Sequence, residues 1–177
     1  MPVPTRGGLR TPVKMKTPHR VSSALGTSSA ACQPERMSKK SAKIAELVAG
    51  LQGGAFDARY LGYFACFNRQ LFFEAHDVLE ELWLAQGKAG ADHAFHKGLI
   101  QLAGAFVHLQ KQRLRPAVAL FDLADANLRR YPADHAGLDL AGVLALVADW
   151  RARIVDRGFE VNPLRPEAPP VLALPVA

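Results

Sequence analysis

"FNRQLFFEAHDVLEELW", residues 67–83, sets large apolar residues beside one histidine and four acids in a run free of glycine and proline. Its apolar positions Phe72, Ala75, Leu79, Leu82 and Trp83 recur at intervals of three and four, which predicts an amphipathic helix over 71–86. At about 100° per residue, His76 and Glu80 fall inside the apolar arc, one turn apart. Trp83 falls on that arc too. Asp77, Gln70, Glu81 and Glu74 lie about 100° to 160° from His76, which assigns the three acids to a solvated face.

The helical period extends in both directions. Ile44, Leu47, Val48 and Leu51 mark a short first helix ended by Gly53 and Gly54, and a second spans about 58–67. The fourth runs from a cap at Asp92 to about Lys111 and is apolar almost all round, which makes it central. A fifth begins near Pro116 and buries Ala117, Leu120, Phe121, Ala124 and Leu128. A sixth buries Leu140, Val143, Leu144, Val147, Trp150 and Ile154 before Gly158. No segment alternates as a strand does. The fold class is therefore all-α: a compact bundle of about five to six helices, with a disordered amino-terminal tail and a Pro-rich carboxy-terminal one.

Three regions are expected: a basic tail at 1–37, a helical domain at 38–160 and an extended tail at 161–177, where "NPLRPEAPPVLALPVA" holds five prolines in sixteen residues. The first tail is rich in Pro, Gly, Ser, Thr and Arg without an apolar period. It is expected to be a solvated arm, to precede a translation start at Met37, or to act in targeting. It also explains the net charge of +6, because residues 1–43 hold nine Lys or Arg against Glu35 alone, while 44–177 hold thirteen against fifteen acids. The folded part is thus not basic, and nucleic acid is not expected as its partner. No run approaches the roughly 18 apolar residues of a membrane span, so no membrane partner is expected. Cys32 and Cys66 form no disulfide framework and fit a reducing, cytoplasmic compartment.

A histidine and a glutamate on an apolar face need partners, since a buried polar group without a hydrogen bond costs roughly 1–3 kcal/mol. His76 and Glu80 are therefore the candidate catalytic residues, or else a polar pair that staples helices. Metal is not expected: "HDVLE" has Glu80 where the zinc-protease pattern HExxH has its second histidine, and no Glu-x-x-His pair occurs. Weak candidates for a metal are His76, Glu80 and His108. On the fourth helix Lys97, Gln101 and His108 share a narrow strip with Gly98, Gly104 and Ala105. Either this strip is a thin solvent-facing stripe, or it is a groove floored by the small residues whose polar members face His76. Cys66, among Tyr63, Phe64 and Phe67, reads as a core residue, and His93 and His96 read as exposed histidines.

"CFNRQLFFEAHDVLEELW" followed by "FHKGLIQLAGAFVHL" resembles the small helical family known as domain of unknown function 309. The resemblance rests on Asn68, Ala75, His76, Asp77, Glu80, Trp83, Gly98, Leu99, Ile100, Gln101 and His108, and covers about residues 58–130. Asp77 departs from the glutamate common there. The resemblance implies an all-α bundle and an intracellular, bacterial protein, and it implies no reaction or cofactor. The primary functional expectation is a binding or scaffolding module with a buried His–Glu pair. The alternative is a small enzyme or polar-ligand-binding protein, a metal-dependent hydrolase among the options, using His76, Glu80, Gln101 and His108. Asn68 and Lys97 complete its ligand-binding candidates, for an anionic or polar ligand, and a protein partner also remains open.

Overall fold

A computed structural model describes residues 39–52, 54–165 and 168–176, so the expectations for residues 1–37 lie outside the described residues. Six helices follow the predicted order: α1 (Lys39–Val48), α2 (Ala58–Phe67), α3 (Phe72–Gln86), α4 (His93–Gln110), α5 (Leu114–Leu128) and α6 (Leu140–Val155). Among the described residues, none of them is long and apolar enough to cross a membrane.

Local chemistry sets the helix ends. Asp57 caps α2 by accepting from the Arg59 amide at 2.8 Å, and Asp139 caps α6 by accepting from the Gly142 amide at 2.9 Å. After α2 the chain turns at Gln70, which holds a positive φ of 59°. The Asp92 side chain does not cap α4; its Oδ1 stands 2.8 Å from His135 Nε2 instead.

One short element was not expected. Asp134–His135 and Leu138–Asp139 form a two-stranded antiparallel hairpin in which Asp134 pairs with Asp139 and His135 with Leu138. Ala136 and Gly137 both take positive φ at its tip, 50° and 72°, the conformation of a two-residue hairpin turn. Strands of two residues are too short to show alternation, and an alanine in place of the usual Asn or Asp hides the turn.

The all-round apolarity of α4 has its structural counterpart: α4 packs against α3 on one side and α5 on the other. Phe95, Leu99, Leu102, Ala103, Ala105, Phe106 and Leu109 are all fully buried along it. At the other edge, a Cβ at Gly62 of α2 would stand 2.8 Å from Val48 Cγ1 and 3.1 Å from Val78 Cγ1. Glycine there lets α1, α2 and α3 meet closely.

The Pro-rich carboxy-terminal segment is a strap, tied down by side chains of the bundle. Asn68 Nδ2 donates to the Leu172 carbonyl at 2.9 Å, and Asn68 Oδ1 accepts from the Leu172 amide at 2.9 Å. Leu172 is buried, and the Val176 amide donates to the Gly137 carbonyl at 2.8 Å. Asn162 Nδ2 donates to the Leu109 carbonyl at 2.7 Å, anchoring the start of the segment to the end of α4. Asn68 therefore does the work of a strand partner for the strap, and both ends of its amide are engaged away from any ligand site. Asn68→Ala should leave the Leu172 amide and carbonyl without their partner and cost about 1–3 kcal/mol. A thermal melt of the variant, together with faster proteolysis near Leu172, checks this; an unchanged melt with an unchanged digest would contradict it.

Candidate functional site

The middle of α3 gathers three polar groups. His76 Nδ1 lies 3.3 Å from Asp77 Oδ1, and their side chains are 32% and 21% exposed. Glu80 follows one turn later and is also half-buried. One ligating atom from each of His76, Asp77 and Glu80 lies within 4.8 Å of the other two. The sequence expectation of a buried His76–Glu80 pair with Asp77 on the far face is corrected on two points: the group is half-buried, and Asp77 belongs to it. A helical wheel gives the direction of each Cα–Cβ bond, not of the side-chain end, and adjacent residues can still bring a carboxylate and a ring nitrogen together. Glu74, also assigned to the solvated face, is ion-paired to Lys43 at 2.8 Å, and that contact holds its carboxyl below the usual range.

Helix α4 supplies the surface beside this group. A Cβ built at Gly104 would stand 3.1 Å from Leu120 Cδ1 of α5 and 4.0 Å from His76 Cδ2. The imidazole therefore lies against a position that carries no side chain, with Leu120 bounding it on the α5 side. Phe73, 54% exposed, lies nearly parallel to His76, with ring centroids 6.5 Å apart and planes 14° apart. An exposed phenylalanine beside a half-buried histidine is the least economical part of this surface for a protein that only needs to fold.

The remaining candidates separate. Gln101 Oε1 accepts from Asn127 Nδ2 of α5 at 2.8 Å, so part of its amide is committed to helix packing. His108 has a buried Nδ1 with no hydrogen-bond partner. Burial pushes its pKa below the ordinary histidine value, and Arg113 and Lys111 act in the same direction. Lys97 is exposed. The proposed floor of small residues shrinks to Gly104. Gly98 and Ala105 are buried, and a Cβ at Gly98 would stand only 2.7 Å from Leu128 Cγ, so this glycine serves the close approach of α5.

A second polar cluster sits at the start of α4, where the sequence suggested exposed histidines. His96 is 5% exposed and packs against Tyr60 and Phe95, with ring centroids at 5.9 and 5.4 Å. Its Nδ1 is buried without a partner. Burial pushes the His96 pKa down, opposed by Asp92 and Asp57 and reinforced by His135 and His93. His135 arrives from the hairpin some forty residues away, which no local period could reveal. Cys66 conforms to expectation: it is buried, and burial raises its thiol pKa.

Chemically, the α3 group can do two things. Asp77 at Nδ1 can fix the imidazole orientation and leave Nε2 for proton transfer, or the three groups together can hold a cation. No curated protein and no solved structure matches the chain significantly. The segment from Tyr60 of α2 to Leu120 of α5, which holds His76, Asp77, Glu80, Gln101, Gly104 and His108, matches the family model described as Domain of unknown function (DUF309) over residues 60–120.

Proposed function

We propose that this domain is a binding module whose site, at His76, Asp77 and Glu80 beside Gly104, takes a small ligand that is rich in hydrogen-bond donors or positively charged. The observation that carries the reading is the half-buried His76 imidazole, which lies beside two carboxylates and 4.0 Å from where a Cβ at Gly104 would stand. A purely architectural pair gains by being closed over. The local charge also turns the ligand preference. Lys97 is exposed and Asp77 and Glu80 flank the imidazole, so an anion would meet two carboxylates, and a cation or donor-rich molecule fits better. His76 is the group that would exchange a proton with such a ligand, with Asp77 and Glu80 orienting it and Gln101 and His108 at the edge of the same α4 face.

The scaffolding reading rests on a different observation, the exposed Phe73 and Leu84 of α3 and Leu123 of α5, which suit a protein partner. Native mass spectrometry of the full chain, purified without added ligand or metal, separates the two. A bound small mass in the parent that is missing from His76→Ala and from Gly104→Leu is the expected result. A parent at its bare mass, or a bound mass that both variants retain, would overturn the site reading in favour of the scaffold.

A further inference from the structure

We infer that a cleft at the point where the chain leaves α6 for the strap binds the phosphate group of a small soluble phosphomonoester, through Arg153, Arg157 and Arg165. The cleft holds about 320 Å³, and these three arginines line it beside Asn162 and Pro163. No acid lines it among the described residues, and it shares no residue with the α3 group.

Local structure brings the arginines together. Arg153 lies in the last turn of α6, and Arg157 follows four residues later, just past the helix end, at the spacing that makes side chains neighbours. The chain then reverses. Gly158 and Phe159 both take positive φ, 61° and 64°, and the Phe159 amide donates to the Ile154 carbonyl at 3.1 Å. That conformation is costly for a phenylalanine, and the Arg115 guanidinium, 4.5 Å from the ring centroid, holds the side chain in place. Asn162 fixes the returning segment through Leu109 and Gln112, and Arg165 follows three residues later.

Charge singles out this cleft. Residues 44–177 hold thirteen Lys or Arg against fifteen acids, so three guanidiniums converging without an acid are a local excess. The α6 dipole, about half a negative charge at its carboxy-terminal end, favours cations in the last turn. It gives a reason for Arg153 and Arg157, and none for a third guanidinium brought in from the strap. Arg153 also meets Asp149 at 2.7 Å, whereas Arg157 and Arg165 have no acid partner among the described residues.

The donors define the ligand. A guanidinium fork pairs bidentately with phosphate. A phosphomonoester brings about −1.5 to −2 charge and three terminal oxygens, enough for Arg157 and Arg165 together, while a carboxylate brings one charge and two oxygens. The volume lies at the lower end of small-ligand pockets, about 300–1,000 Å³. A nucleic-acid strand needs positive charge along an extended track, which a body with more acids than Lys and Arg does not offer.

The test is phosphorus NMR titration of inorganic phosphate with the full chain at low ionic strength, a method that reads the modest affinity of exposed arginines. Saturation at one equivalent is expected. Arg157→Gln and Arg165→Gln should each weaken binding about fivefold or more, the loss of one charge-assisted contact. Arg130→Gln, at an exposed arginine outside the cleft, should leave it unchanged, and acetate should not compete. Circular dichroism verifies folding, and all these substitutions fall on exposed residues. No saturable binding, binding that both cleft variants retain, or an equal loss in Arg130→Gln would overturn the site. Acetate competing as well as phosphate would overturn the ligand class. Pelleting with phosphatidic acid vesicles that Arg157→Gln abolishes would replace the soluble ligand by a lipid headgroup. Tighter, Arg157-dependent binding of a single-stranded oligonucleotide would overturn the small-molecule reading.

Discussion

Phe106→Ala is expected to destabilise the protein by about 3–5 kcal/mol, the usual cost of deleting a fully buried aromatic ring. Phe106 is 0% exposed and touches rings from four other helices. Its centroid lies 5.3 Å from Phe67 of α2, 5.0 Å from Phe72 of α3, 5.4 Å from Phe121 of α5 and 5.0 Å from Trp150 of α6. Three of these contacts are edge-to-face and one is stacked, geometries that add about 0.5–1.5 kcal/mol per pair beyond buried area. A neighbourhood built from four separate helices cannot collapse into the void by moving one side chain, which places the cost toward the upper end. Against a typical domain stability of about 5–15 kcal/mol, this single change removes a large fraction. Urea denaturation measures it, and Phe106→Leu, which keeps most of the volume, should recover more than half of the loss. A loss below about 1 kcal/mol for the alanine variant would show that the five rings do not form one packed unit.

Phe106 also illustrates what could be read from sequence. Its helix carries only a narrow polar strip and is apolar on every other side, and that alone identifies α4 as the element the others surround. Helix boundaries were legible from the glycines and prolines that punctuate a strong 3.6-residue period, and α2 and α3 begin and end within one residue of expectation. The site was legible only in part. Periodicity placed His76 and Glu80 together, but it gives Cα directions, so it put Asp77 on the wrong face and could not foresee a carboxylate reaching His76 Nδ1. Asn68 entered the ligand-site candidates through the family resemblance and not through any local pattern. Its true partner, Leu172, lies 104 residues away in a segment whose prolines suggested only an extended chain. Gly98 and Gly104 are indistinguishable in sequence, and only the position of Leu128 makes one a packing contact and leaves the other beside His76. Long-range pairing is what the local pattern lacks in each case.

Trp83→Ala is expected to cost about 3 kcal/mol, the low end of the range for removing a large aromatic, because the ring is only partly buried. Trp83 closes the corner between α3 and α4. Its Nε1 donates to the His93 carbonyl at 3.0 Å, and its ring lies 4.8 Å from the His93 ring. His93 Nδ1 lies 3.1 Å from the carbonyl of Gly87, the residue with φ of 68° that ends α3. The indole therefore spans a loop that would otherwise be held by few apolar contacts. Packing and hydrogen bonding can be separated here. Trp83→Phe keeps a ring against His93 and loses only the indole N–H, and the His93 carbonyl, at the start of α4, retains the hydrogen-bonding role of a first-turn helical residue. That variant should cost about 1 kcal/mol, a typical net value for one hydrogen bond. If it instead falls as far as Trp83→Ala, the hydrogen bond and not the ring carries the corner. The local consequence follows from geometry. Trp83 sits two turns beyond His76, whereas Phe72, one turn before His76, is fully buried and packed on Phe106 in the aromatic core. Hydrogen exchange in Trp83→Ala should accelerate first at residues 84–93 and least at 72–80, so the α3 group should survive a loosened corner. Uniform acceleration along α3 would mean instead that the corner positions the whole helix, and that His76 depends on Trp83 for its place beside Gly104.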